Sequence, residues 1–302
     1  MRVFVTGATG LVGSAVTREL LDAGHQVTGL ARSDASAAAL TSAGADVQRG
    51  TLADLDEIRA AASAADGVIH TAFNHDFTDF AASIATDRGV IAAIGDTLAG
   101  SDRPFVIASG LGGRTVGRVA TEDGEPDELD HPAAARMVTE QGMLNLAERG
   151  VRASAVRLPP SVHGAADAHG FVPTLIQAAR TNGAALYPGD GANRWPAVHQ
   201  LDAAHLFVLA LEKAPAGTPL HAVGDEGVPV REIAESIAAN LGLPAKSAPA
   251  DEMAERIGFV GSIFALDIPA SSAKTQELLD WHPVQPGLIA DLDAGHYFGG
   301  HR

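Results

Sequence analysis

The chain predicts an α/β fold, a doubly wound parallel sheet joined to a smaller mixed C-terminal substrate domain, and three observations carry that prediction. Short apolar runs alternate with helical patterns through the first half, which is the mark of strands connected by crossover helices. A glycine-rich turn, Thr6-Gly7-Ala8-Thr9-Gly10-Leu11-Val12-Gly13, directly follows the apolar run Val3-Phe4-Val5. The length of 302 residues with 46% hydrophobic content suffices for one large domain or two intimately joined ones.

Taken in order, strands are expected over 3–6, 26–30, 46–48, 67–70, 105–108 and 153–157. Helices are expected over 11–23, 34–43, 54–64, 77–99 and 132–149. The first helix is amphipathic through Val12, Val16, Leu20 and Leu21 and ends at Gly24. Crossovers should be right-handed, with a ligand crevice at the carboxyl ends of the strands. Leu158-Pro159-Pro160 cannot continue a central strand, because proline removes ladder donors. Beyond it the pattern predicts a helix over 171–181, a turn at Tyr187-Pro188-Gly189-Asp190-Gly191, a run over 196–199 and a helix over 202–212. A strand over 220–223, helices over 229–241 and 251–257, and a short helix over 271–279 follow. The expected division is a dinucleotide-binding domain over 1–158 with returning pieces near 195–224, and a substrate domain over 159–194 and 225–302.

Composition narrows the function classes. The formal charge of −16, from 21 basic and 37 acidic residues, repels nucleic acid and anionic membrane. No apolar stretch approaches the roughly 18 residues needed to span a bilayer. A strand starting at Arg2 leaves no room for a secretory leader, so a cytoplasmic location is expected. With no cysteine, thiol nucleophiles and thiolate metal sites are excluded.

The glycine turn reads as a phosphate cradle. Gly7 allows the sharp turn, Gly10 lets the backbone approach a pyrophosphate, and Gly13 lets the helix pack closely on the strand. The helix behind it would aim free N–H groups and its positive dipole end at the phosphates. A dinucleotide is the expected ligand. The second strand ends in Ala31-Arg32-Ser33, where an acidic residue would favour NAD and an arginine suits a 2′-phosphate, so NADP is expected over NAD.

With the run Val68-Ile69-His70-Thr71-Ala72 also in place, the chain resembles the short-chain dehydrogenase/reductase superfamily. More narrowly, it is similar to the extended or atypical branch with NAD-dependent epimerase/dehydratase-type proteins. Val106-Ile107-Ala108-Ser109-Gly110 resembles the strand ending in the active-site serine. Arg157 to Gly164 resembles the segment closing over the nicotinamide, and Val198-His199-Gln200-Leu201-Asp202-Ala203-Ala204 the substrate-domain hinge. The resemblance implies a Rossmann-type sheet. It also implies that Gly7, Thr9, Gly10, Leu11 and Val12 line the pyrophosphate, Arg32 meets the adenosine phosphate, and Thr51 and Leu52 border the adenine. Thr71, Ala72 and Phe73 would flank the nicotinamide ribose, and Pro159, Pro160 and Ser161 the nicotinamide.

One departure concerns catalysis. Relatives carry a tyrosine followed four residues later by a lysine, whose charge lowers the tyrosine pKa for proton transfer. With Glu140 as the trailing acid, Pro132 stands at the tyrosine position and Arg136 at the lysine. Arg136 can hold ribose hydroxyls and supply fixed charge but cannot exchange a proton. Ser109 can hydrogen-bond a carbonyl oxygen, and His163, His131 or Tyr187 would then shuttle the proton. His131 also reads as helix-start chemistry beside Asp130 and Pro132.

The 12 histidines form no metal-binding motif, so no metal is expected. Trp195 with His199 either edges the substrate pocket or anchors packing. The expected activity is hydride exchange between NADP(H) and a small carbonyl or alcohol. A non-catalytic redox sensor or regulatory protein, and a nucleotide-sugar epimerase using Arg180 and Arg194, are the alternatives. A small-molecule partner is expected, and by analogy with relatives a homodimer through helices 77–99 and 132–149.

Overall fold

A computed structural model of the chain describes residues 1–74, 79–111, 115–127 and 133–299. The first half runs β1 (Arg2–Thr6), α1 (Leu11–Asp22), β2 (Gln26–Ala31), α2 (Asp34–Ala43), β3 (Asp46–Arg49), α3 (Leu55–Ala64), β4 (Gly67–His70), α4 (Phe80–Leu98), β5 (Pro104–Gly110), α5 (Ala133–Leu144) and β6 (Arg152–Leu158). The second half runs β7 (Ser161–His163), α6 (Phe171–Asn182), β8 (Ala185–Pro188), β9 (Arg194–His199), α7 (Gln200–Lys213), β10 (Thr218–His221), β11 (Asp225–Pro229), α8 (Val230–Leu241), β12 (Ala245–Ala248), α9 (Met253–Ile257), α10 (Phe259–Phe264), α11 (Ala273–Leu279) and α12 (Leu288–Asp293).

Seven parallel strands form the main sheet in the order β10-β6-β5-β4-β1-β2-β3. This is the Rossmann-type doubly wound sheet. The order reverses between β1 and β4, and such a switch point opens a crevice at the carboxyl edge. Both faces are covered at the centre of the sheet, so β1 and β4 are near-continuous apolar runs, while the edge strand β3 is polar and part-exposed. Val3, Val5 and Val106 pack on one face with Val16, Leu20, Phe207 and Leu211 from α1 and α7. Phe4, Phe105 and Ile107 point to the other face, against Ile58, Ile94 and Met143 from α3, α4 and α5. β10 closes the sheet as an edge strand, which is where its Pro219 is tolerated.

The chain after β6 adds a three-stranded sheet in the order β11-β9-β7 and a two-stranded sheet of β12 with β8. They share a separate apolar core in which Trp195, Val172, Ile233, Ile237, Phe264, Leu288 and Leu292 pack together. Trp195 is the packing anchor here: it is fully buried, donates its indole N–H to Ile263 O at 3.1 Å, and meets the Phe264 ring edge-on.

Several second-half expectations are corrected. The stretch from Tyr187 is not all turn, because Ala185–Pro188 forms β8 and the reversal begins at Gly189. The strand expected over 220–223 is Thr218–His221, shifted toward its partner β6. The short strands β7, β11 and β12 and the helices α10 and α12 had no expectation, since each is short and is held by partners distant in sequence. The helix expected over 132–149 ends at Leu144, and its last turn tightens to a 3₁₀ helix over Asn145–Arg149. Among the described residues no helix is long and apolar enough to cross a membrane.

Candidate functional site

The glycine turn lies at the carboxyl end of β1, beside the end of β4. Gly7 has φ +70°, and a Cβ there would lie 2.6 Å from Ala72 N, so the turn and β4 meet backbone to backbone. A Cβ at Gly13 would lie 2.1 Å from Gly7 O, which explains how closely α1 sits on the turn. Gly10 N–H closes the turn by donating to Gly7 O at 2.9 Å. No side chain caps α1, Thr9 and Gly10 are exposed, and Leu11 and Val12 are half-buried. This cradle of backbone that a side chain would fill fits a diphosphate.

Around the rim, Arg32 is exposed at the end of β2 and forms no ion pair with a described residue. Ser33 Oγ accepts from Ser36 N–H at 3.1 Å to cap α2. Arg49 stands opposite Ala31 across the β2–β3 pairing and binds Asp34, a cation that the sequence reading missed. Thr51 donates through N–H and Oγ to Asp54 Oδ2 at 2.7 and 2.8 Å, and these bonds hold the Asp54 carboxyl below its ordinary pKa. Leu52 packs at the margin of the core.

At the crevice centre, Thr71 Oγ donates to Thr6 O at 2.8 Å, which locks the β4 end to the β1 end. Ser109 is buried on β5, paired in register with Arg157 of β6. Arg136 comes from α5, donates to Ala108 O at 3.3 Å, and lies 3.9 Å over the centre of the Phe73 ring. Burial pulls the guanidinium pKa below its ordinary value, while the Asp87 and Glu140 charges oppose that shift. Ser109, Arg136, Phe73 and Thr71 therefore belong to the strand ends around one crevice.

Two buried polar networks support this edge. Thr6 Oγ lies 2.6 Å from His70 Nδ1 and His70 Nε2 lies 2.9 Å from Asp87 Oδ1; with the ring proton on Nε2 facing the carboxyl group, Thr6 O–H donates to Nδ1. Arg157 donates twice to Glu140 Oε1, at 2.9 and 2.7 Å, and once to Glu122 O at 2.8 Å. Glu122 Oε1 in turn accepts from Thr275 N–H and Oγ–H at 2.8 and 2.7 Å, which ties α11 to the network. No spacing in the sequence pointed to Asp87 or Thr275, because their partners are set by packing.

His163 lies on β7 of the three-stranded sheet, whereas Ser109 lies on β5 of the main sheet. His163 is fully buried, and its Nδ1–H donates to Asp291 Oδ2 on α12 at 2.9 Å. The histidine spacing in sequence suggested no pairing, yet the β7–β9 register sets His163 beside His199 with ring centres 5.4 Å apart. Pro159 is buried, Pro160 half-buried and Ser161 buried, between β6 and β7. Tyr187 lies on β8 under the Arg231 guanidinium, away from α5, and Tyr297 bonds to Gly164 and Asp167. His131 and Pro132 lie outside the described residues.

Comparison with known proteins agrees with this geometry. Residues 3–223 match the NAD dependent epimerase/dehydratase family, and the chain belongs to it. An uncharacterised protein of Schizosaccharomyces pombe is 46% identical over 302 residues, covering 99% of this chain and 100% of that one. The 2-alkyl-3-oxoalkanoate reductase of Stenotrophomonas maltophilia is 29% identical over 264 residues, covering 81% of this chain and 77% of that one. A solved structure of MoeE5 in complex with UDP-glucuronic acid and NAD has the same fold, with a TM-score of 0.75 at 21% identity and coverage of 98% of both chains.

Proposed function

We propose that this member of an NAD-dependent enzyme family is an NADP(H)-dependent oxidoreductase acting on a small carbonyl or alcohol. The observation that carries the reading is Arg136, whose guanidinium bonds the carbonyl of Ala108, next to Ser109, at the same sheet edge as the glycine cradle. Gly7, Thr9, Gly10, Leu11 and Val12 would hold the diphosphate through backbone N–H groups. Thr51 and Leu52 would border the adenine, Thr71, Ala72 and Phe73 the nicotinamide ribose, and Pro159, Pro160 and Ser161 the nicotinamide. The chemistry that the cofactor supplies when bound is hydride transfer.

The protein's own part is placement and charge. Ser109 O–H donates to the substrate oxygen, where negative charge grows during reduction. Arg136 holds ribose hydroxyls and keeps a positive charge at the crevice throughout the working pH range. His163 is the group we assign to proton exchange, since a histidine held by a carboxylate keeps one nitrogen for that role. Arg32, with Arg49 beside it across β2 and β3, supports a 2′-phosphate and hence NADP over NAD. The relationship to a reductase supports the reaction class.

The placement of both tyrosines away from α5 favours a second reading, a non-catalytic NADP(H)-binding sensor. Arg194 is committed to Asp267 through bonds of 2.9 Å, which disfavours the nucleotide-sugar reading. Measurement of NADPH oxidation against aldehydes, ketones and imines separates them. The enzyme reading expects at least one turnover substrate, with Ser109→Ala lowering kcat by about 10²-fold or more. Tight NADPH binding with no turnover anywhere on the panel would favour the sensor. We also place a homodimer contact on the α4–α5 face, where Val138 is 63% exposed.

A further inference from the structure

Three buried polar atoms beyond β6 make no hydrogen bond to a described residue: His163 Nε2, Gln200 Oε1 and Ser161 Oγ. Their neighbourhood is set by the β7–β9 pairing, which aligns His163 with His199, and by α7, which begins at Gln200. An unpaired buried polar atom costs about 1–3 kcal/mol, so three in one region call for a partner.

The donors and acceptors can be assigned. His163 Nδ1–H donates to Asp291, which leaves Nε2 as a bare acceptor. His199 Nδ1 accepts from Leu201 N–H at 3.2 Å, so its Nε2 carries the proton. Burial pulls the His199 pKa down and keeps that ring neutral. Gln200 Oε1 is a second acceptor. Gly164 lets the two side chains come close together, since a Cβ there would lie 2.9 Å from Gln200 Cγ and 3.0 Å from His199 Nε2.

We propose that β7, β9 and the start of α7 enclose a binding site for one ordered water molecule, held by His163 Nε2, Gln200 Oε1 and His199 Nε2–H. Only an oxygen that donates twice and accepts once satisfies this set. A carboxylate or phosphate would place lone pairs against two acceptors, and an ammonium group would meet the His199 N–H. Water supplies two O–H donors and an accepting lone pair, whereas an alcohol hydroxyl has one O–H and would leave one of the two acceptors unmet. Ser161 extends the polar row about 7 Å along the same face of β7, toward Pro160. The C-terminal segment seals the site: Asp291 binds His163, while Tyr297 O–H donates to Asp167 Oδ2 at 3.3 Å and its oxygen accepts from Gly164 N–H at 2.9 Å.

This inference needs no cofactor and stands whether or not the oxidoreductase reading survives. Long-range ¹H–¹⁵N NMR of the whole protein at neutral pH reads both histidines without any mutation. The expected result is an Nδ1–H tautomer for His163 and an Nε2–H tautomer for His199. A doubly protonated His163, or a proton on His199 Nδ1, would overturn the assignment. A high-resolution crystal structure should then show one oxygen within roughly 3.2 Å of all three atoms. A dry void, or side chains collapsed into that point, would also overturn it. Crystals soaked in a short-chain alcohol should keep that peak unchanged, and a carbon tail growing from it would overturn the two-acceptor assignment. Gln200→Leu, which removes one acceptor, should lose the peak while NADPH affinity stays within about twofold.

Discussion

The two halves of this protein build polar surfaces by opposite means. The cradle over residues 6–13 is made of backbone and defined by what is missing, since a Cβ at Gly13 would lie 2.1 Å from Gly7 O. The region around β7 is made of side chains that meet from far apart in the sequence, such as His163 with Asp291. A backbone cradle needs only glycines at fixed spacing and so is written locally. A side-chain network needs its partners brought together by folding, and each partner is ordinary in isolation.

The contrast can be broken by substitution. The largest effect is expected from Gly13→Val, whose side chain has no space against Gly7 O. It should cost about 3 kcal/mol or more in stability and remove NADPH binding measurable by calorimetry. An unaffected affinity would mean that the cradle is not the phosphate site. Next comes Asp291→Ala, which leaves the buried His163 Nδ1–H without its carboxylate. Chemical denaturation should show a loss of about 1.5–3 kcal/mol, with NADPH affinity of the folded protein changed less than about threefold. A large affinity loss there would merge the two regions into one site.

Arg32→Ala sharpens the first region further. Removing a charged partner of the 2′-phosphate should weaken NADPH binding about tenfold and leave NADH binding unchanged. Equal losses for both cofactors would assign Arg32 to another role. The smallest effect belongs to the exposed Arg2–Asp66 pair at the start of β1, whose bonds lower the Asp66 pKa from 3.8 to about 2. A lowered folded-state pKa gives stability that is present above 3.8 and lost as pH falls toward 2. Asp66→Ala should therefore destabilise slightly at neutral pH and not at pH 2, as read by thermal melts, and the exposure of the pair keeps the effect small.

The first six strands lie within about two residues of their expected bounds; except for the polar, part-exposed β3, they are mostly apolar runs between turn residues, largely buried. The glycine turn was equally legible. β12, Ala245-Lys246-Ser247-Ala248, was not, since it shows no strand periodicity and exists only by pairing with β8. The Asp87 carboxylate was also hidden, because the fourth helix reads simply as a helix until His70 is found beneath it.

The sequence alone determined the order of strands and helices in the first half, the cradle and the family resemblance, since these depend on contacts within about one βαβ unit. Tertiary structure decided which buried charges face each other: Arg157 with Glu140, His70 with Asp87 and His163 with Asp291. A buried polar group must find its partner wherever the fold provides one, and that choice depends on position in space rather than on spacing along the chain.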